Sequence, residues 1–124
     1  MPDKLDDSII GRPLLPRDLV TYQADTITSR MVIRSREGTV TLFAFDRGQG
    51  LSEHTAPFDA LACALDGEAE ITIAGVTHHL HEGEMIIMPA HIPHAVSPIS
   101  RFKMMLVMIH AQKTGEDEKR KEKR

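Results

Sequence analysis

The sequence predicts an all-β domain, an antiparallel barrel or sandwich with little or no helix. Three observations lead there. Short runs rich in β-branched, aromatic and aliphatic residues recur at spacings of roughly ten residues. Turn signals separate them: Arg36-Glu37-Gly38, Asp66-Gly67, Gly75 and Glu82-Gly83-Glu84. No stretch carries a convincing helical period. With 124 residues, 41% of them apolar, the chain suffices for one domain around one core.

In chain order, residues 1–28 read as an arm. Its first nineteen hold few apolar positions, with Pro13 and Pro16 among them, which suits an extended segment lying over the domain. Leu14, Leu15, Leu19 and Val20 are its candidate anchors, onto the domain or onto a partner subunit. Residues 29–110 read as the barrel. Ser29 to Arg34 is a short β-rich run, and Thr39 to Phe45 (TVTLFAF) alternates β-branched and aromatic residues as a strand does. Leu51 to Ala56 opens the next strand. Pro57 offers no N–H to a ladder, so a kink is expected there before the strand resumes over Asp59 to Leu65. Glu68 to Ala74 alternates polar with apolar residues, one face wet and one buried, and Val76 to His81 returns beside it. Met85 to Met88 (MIIM) is apolar throughout and reads as a core strand. His94-Ala95-Val96 starts a strand that Pro98 ends, and Arg101 to Ile109 is the last. Residues 111–124 are a mixed-charge tail without an apolar stripe, expected to be solvated.

Charge and cysteine content exclude several functions. Net charge is −3. Residues 1–112 hold nine basic against fourteen acidic side chains, and no basic stripe, so nucleic acid is not an expected partner. No apolar run is long enough for a membrane-spanning helix, and the acidic start MPDKLDDSII lacks the apolar region of a secretory signal; a cytoplasmic location is the default expectation. The single cysteine, Cys63, excludes an internal disulfide and a multi-cysteine zinc site, and reads as a small, buried apolar residue. Nucleophile elbow, phosphate-binding glycine loop and zinc-protease motif are all missing.

The chemistry concentrates between Gly48 and Pro98. Five residues separate Gly48 from His54, and Gly67 falls thirteen after His54. Five more separate Gly83 from Pro89, and His94 lies five after Pro89, with fifteen residues between Gly67 and Gly83. This layout resembles the paired motifs of the cupin family, G(X)5HXH(X)3-4E(X)6G and G(X)5PXG(X)2H(X)3N, over about residues 39–109. The resemblance implies a cupin double-stranded β-helix, a jelly-roll barrel of the RmlC-like kind.

In metal-binding cupins the ligands are two His and one Glu of the first motif and the His of the second. Carried over position by position, these fall on His54, Ala56, Ala60 and His94, so two of the four remain. His91 stands where the second motif has Gly, and Pro98 where it has Asn. Side chains at 54 and 56 share one strand face. In the family that face looks into the barrel, so the resemblance implies a pocket lined by His54, Ala56, Phe58, Ala60, Met88 and His94, more apolar than in metal-binding relatives. Any divalent metal, of the Mn, Fe, Ni or Zn group, would be held by His54 and His94 with a third group, His91 first, then Asp59 or Glu53. Asp59 would need a bulge at Pro57 to turn inward.

Two functions follow from the resemblance: a metal-dependent small-molecule enzyme of dioxygenase, isomerase or decarboxylase type, or a metal-free small-molecule binding module with His54 and His94 as its polar fixed points. A homodimer is expected too, through packed sheets, the Met-rich last strand or the arm. Blander readings cover the rest. His78, His79 and His81 form a solvent-facing edge with adventitious metal-binding potential, and His110 is exposed. Met85, Met88, Met104, Met105 and Met108 serve as core filler, some of them beside the pocket.

Overall fold

The computed structural model describes residues 7–111 of the 124. The predicted tail lies outside them apart from Ala111. Among the described residues, nine strands follow two short 3-10 turns, Asp7–Ile9 and Pro16–Leu19. They are β1 (Ile27–Arg34), β2 (Gly38–Phe45), β3 (Leu51–His54), β4 (Phe58–Asp66), β5 (Ala69–Ile73), β6 (Val76–Leu80), β7 (Met85–Met88), β8 (His94–Pro98) and β9 (Phe102–His110). All pairings are antiparallel. One sheet has the order β1-β2-β9-β4-β7 and the other β3-β8-β5-β6. Among the described residues, no helix is long and apolar enough to cross a membrane.

Alternation on the strands sets which residues meet between the sheets. On the larger sheet, Phe45, Ala60, Ala62, Ala64, Phe102, Met104 and Leu106 face inward and are buried. Ala69, Ile71, Leu80 and Val96 meet them from the smaller sheet. Phe45 packs on Phe102 with ring centroids 5.9 Å apart. Truncating a ring so placed costs about 3–5 kcal/mol. Beyond Phe58, the inward face of β4 is alanine at 60, 62 and 64, so the bulk there comes from its neighbours.

Pro57 does more than kink a strand. The predicted strand over 51–56 stops at His54, and 55–57 carries the chain from the smaller sheet to the larger, where β4 begins. The proline carbonyl is still used, accepting from Ala111 N–H at 3.0 Å. Met85 to Met88 is likewise not a fully buried strand. β7 is an edge strand with Met88 buried inside while Met85 and Ile87 stay exposed on the outer face. A short apolar run does not by itself distinguish a core strand from an edge strand with two apolar faces.

The arm is not simply extended, since its prolines favour the 3-10 turn at Pro16–Leu19. Val20 is buried, and with Leu19 and Tyr22 it covers Leu42, Ala44, Leu65 and Met105 on the outer face of the larger sheet. Leu14 and Leu15 remain exposed. Tyr22 donates its hydroxyl proton to Asp66 at 2.5 Å, and burial together with that carboxylate pushes its pKa up. The Arg101 and Lys103 side chains lie over its ring, and Lys103 Nζ donates to the Arg17 carbonyl at 2.7 Å.

Asp46 closes the end of β2. It accepts the Asp25 N–H at 2.7 Å and the Arg101 Nε–H at 2.8 Å, which holds its pKa below the ordinary value. The β5–β6 hairpin turns on Ala74 (φ 51°) and Gly75 (φ 80°), the two left-handed positions of a type I′ turn.

Candidate functional site

The crossing at 55–57 builds the site. It leaves His54 at the last position of β3, paired with His94 at the first position of β8. Their ring centroids are 4.4 Å apart with planes at 63°. His94 is buried and His54 is exposed, so the pair spans the boundary between interior and solvent.

Both rings are held the same way. His54 Nδ1 lies 2.8 Å from the Ser52 carbonyl, and His94 Nδ1 lies 3.1 Å from the Ile92 carbonyl. A carbonyl only accepts, so each Nδ1 carries the proton. In the neutral rings each Nε2 is then left with a free lone pair, able to accept a hydrogen bond or bind a cation.

Behind the pair lies a largely enclosed cavity of about 40 Å³. All six residues expected at the pocket line it: His54, Ala56, Phe58, Ala60, Met88 and His94. Met104 and Met108 join them from β9, as the Met-rich strand suggested. Leu51, Val96 and Leu106 complete the wall and were not singled out from the sequence. Strand alternation carried that signal: Val96 is two residues from His94, and Leu106 lies between Met104 and Met108 on one face. The cavity exists because Ala56 and Ala60 place methyl groups where longer side chains would fill it. Phe58 packs its ring on His110, centroids 4.4 Å apart, so His110 is exposed but partnered.

The expected third metal ligand is not brought to this pair. His91 is exposed in the 89–93 turn at φ 64°, and its N–H donates to the Ala56 carbonyl at 2.9 Å. Asp59 pairs with Ile109, on the outward set of β4, and its carboxylate accepts the Ala90 N–H at 2.9 Å. No bulge at Pro57 turns it inward; its role is to hold the 89–93 turn. Glu53 is exposed beside His54. Among the described residues, one group of three or more potential ligands has its donor atoms within 4.8 Å of one another, and it lies elsewhere: Glu68, His79 and His81. The residues at the His54–His94 pair therefore do not reproduce the ligand set of metal-binding cupins.

Cys63 is half-buried rather than buried, on the outward set of β4, and desolvation raises its thiol pKa. That places it outside the cavity and makes it a poor nucleophile.

Comparison with known proteins agrees with this architecture. The family model of the cupin domain matches residues 41–110. A conserved protein of unknown function from Streptococcus pyogenes is 33% identical, with a TM-score of 0.81 over 87% of this chain and 95% of that one. A cupin superfamily protein from Desulfitobacterium hafniense is 29% identical, with a TM-score of 0.81 over 87% of this chain and 99% of that one. A salicylate 1,2-dioxygenase from Pseudaminobacter salicylatoxidans shares the fold at 11% identity, with a TM-score of 0.62 over 67% of this chain and 26% of that one. No curated protein matches the chain. With the jelly-roll sheets, the paired histidines at the barrel mouth and a family match across most of the barrel, the chain belongs to the cupin family.

Proposed function

We propose that this cupin binds a small molecule at His54 and His94 without the four-ligand metal centre of its metal-binding relatives. The observation that supports this most directly is the pair itself: two imidazoles side by side, each tied through Nδ1 to a carbonyl, at the mouth of an apolar cavity. A ligand with hydrogen-bond donors is accepted at the two Nε2 atoms. The cavity of about 40 Å³ is far below the roughly 300–1,000 Å³ of a pocket that encloses a drug-sized ligand. It admits a group of a few heavy atoms, so the remainder of the ligand lies at the mouth. The ligand class is a small molecule with a polar head and a short apolar branch.

Proton transfer is within reach of the same geometry. A neutral imidazole takes a proton at Nε2 while its Nδ1–H stays on the carbonyl, which steadies the imidazolium that forms.

The test is mass spectrometry of the natively purified protein with thermal melts against a metabolite library, on wild type and H54A/H94A. A stabilising compound present at about 100 times its Kd adds about 2.7 kcal/mol. The proposal expects such a compound for wild type and loss of its effect in the double variant. No stabilising compound, or equal stabilisation of both proteins, overturns it.

A second reading is favoured by the free lone pairs on both rings: a divalent metal held by His54 and His94 with water, supporting enzyme chemistry of dioxygenase, isomerase or decarboxylase type. Metal analysis separates the two. One equivalent of Mn, Fe, Ni or Zn in wild type, lost in H54A/H94A, favours the metal.

We also propose a second copy of the chain as partner. On the outer face of the larger sheet, Ile33, Val40, Val107, Leu61 and Ile87 are register neighbours in one row across all five strands. The row carries no charge, so two copies meet there without opposing like charges.

A further inference from the structure

We propose that Glu68, His79 and His81 form a surface site for a divalent transition cation of the zinc class, separate from the His54–His94 cavity. Strand geometry assembles it. His79 and His81 are two residues apart, so they project from the same side of the chain. Leu80 between them is buried in the core, which puts both imidazoles on the outer face of the smaller sheet. On the neighbouring strand Glu70 is paired with His79, so Glu68, two residues earlier, comes level with His81.

The side chains converge as that register requires. Glu68 Oε1 lies 2.6 Å from His79 Nε2, and the His79 and His81 rings stack with centroids 4.1 Å apart and planes within 11°. One donor atom from each of the three residues lies within 4.8 Å of the others. Around a tetrahedral cation with bonds of about 2.0–2.1 Å, donor atoms stand roughly 3.3 Å apart. The partly exposed side chains can reach that spacing by rotamer adjustment, and the cation takes the place of the proton that His79 Nε2 donates to Glu68. Two imidazoles and one carboxylate, with a position left to water, suit zinc, nickel or copper rather than magnesium or calcium.

Glu84 supplies the supporting contact. Its Oε1 accepts from both the backbone N–H of His81, at 2.7 Å, and His81 Nδ1, at 2.9 Å. A carboxylate on Nδ1 fixes the ring and leaves Nε2 as its metal-binding nitrogen, the arrangement common behind metal-bound histidines. Glu84 is thus a positioning residue. A cation bound here ties β5, β6 and the turn after β6 together at an exposed sheet edge.

Isothermal titration of Zn²⁺ into untagged, full-length protein tests the site, with H54A/H94A as background so that the cavity pair does not contribute. The background protein is expected to take up one equivalent that the further pair H79A/H81A removes. E68Q should weaken uptake at least tenfold, and E84Q by about 10–100-fold, the usual effect of removing a carboxylate behind a ligand histidine. No saturable uptake by the background protein, or uptake unchanged by H79A/H81A, overturns the proposal. An unchanged affinity in E84Q overturns the positioning role.

Discussion

His54 and His94 face each other across the β3–β8 ladder, ring centroids 4.4 Å apart, although one closes its strand and the other opens its own. The pairing register is irregular between Leu51 and His54 yet regular at the histidines themselves. Two residues past His54, Ala56 contributes only a methyl group to the same cavity, and Ala60 does the same from β4.

These alanines make a direct prediction. A56H/A60E should restore a four-ligand set with His54 and His94. Without metal, the buried carboxylate is expected to cost about 2 kcal/mol or more, because Ala60 is almost fully shielded from water. Adding Mn²⁺ or Zn²⁺ should recover that loss and raise Tm in the variant, with a much smaller cavity-dependent effect in wild type. Differential scanning fluorimetry with and without metal reads the outcome, and a variant whose Tm ignores metal contradicts the geometry described.

Gly67 should resist substitution more than Gly48. Both have positive φ, 73° and 79°. A Cβ at Gly67 would run into the Arg101 carbonyl, whereas at Gly48 it would meet nothing within 4 Å. Gly48→Ala should then lose only the left-handed penalty of about 1–2 kcal/mol. Gly67→Ala adds a backbone clash to the same penalty and should lose clearly more. Urea denaturation of the two variants side by side checks the order.

Asp46 should make the fold acid-sensitive. Its pKa is held below the ordinary 3.8, first by the Asp25 N–H and then by Arg101. A carboxylate depressed by folding stabilises the protein above its unfolded pKa, and the contribution fades as pH falls through the folded value. Stability at pH 7 should therefore drop in Asp46→Asn, and the gap between wild type and variant should narrow as pH is lowered below about 3.8. Melts across that range test the sign; a gap that widens towards acid would contradict it.

If two copies meet on the outer face of the larger sheet, a charge in the apolar row should separate them. Ile87 is 57% exposed in the single chain, so Ile87→Glu should leave the monomer's stability nearly unchanged. Light scattering after size exclusion should show a dimer for wild type and a monomer for the variant. A wild-type monomer at micromolar concentration removes the proposal.

Much of this molecule was legible in the residues. Alternation in TVTLFAF and EAEITIA marked β2 and β5 within a residue or so, and the spacings around His54 and His94 carried the resemblance that implied a cupin barrel. The six expected pocket residues do line one cavity, because strand alternation and motif spacing are local properties. A local signal misleads where it has two structural outcomes. Pro57 breaks a ladder equally well in a kinked strand and at a crossing between sheets. MIIM reads as buried, yet β7 lies at an edge. His91 is near His94 in the chain, but a left-handed turn and a bond to Ala56 keep it outside.

Taken alone, the order of residues determined the strand composition, the family and which histidines belong to its motifs, since each depends on side-chain type at fixed spacing. Tertiary structure decided how many ligands meet, how large the cavity is and that Glu68 joins His79 and His81. Those depend on register between strands and on packing between sheets, where displacements of a few ångströms separate a metal centre from a small apolar pocket.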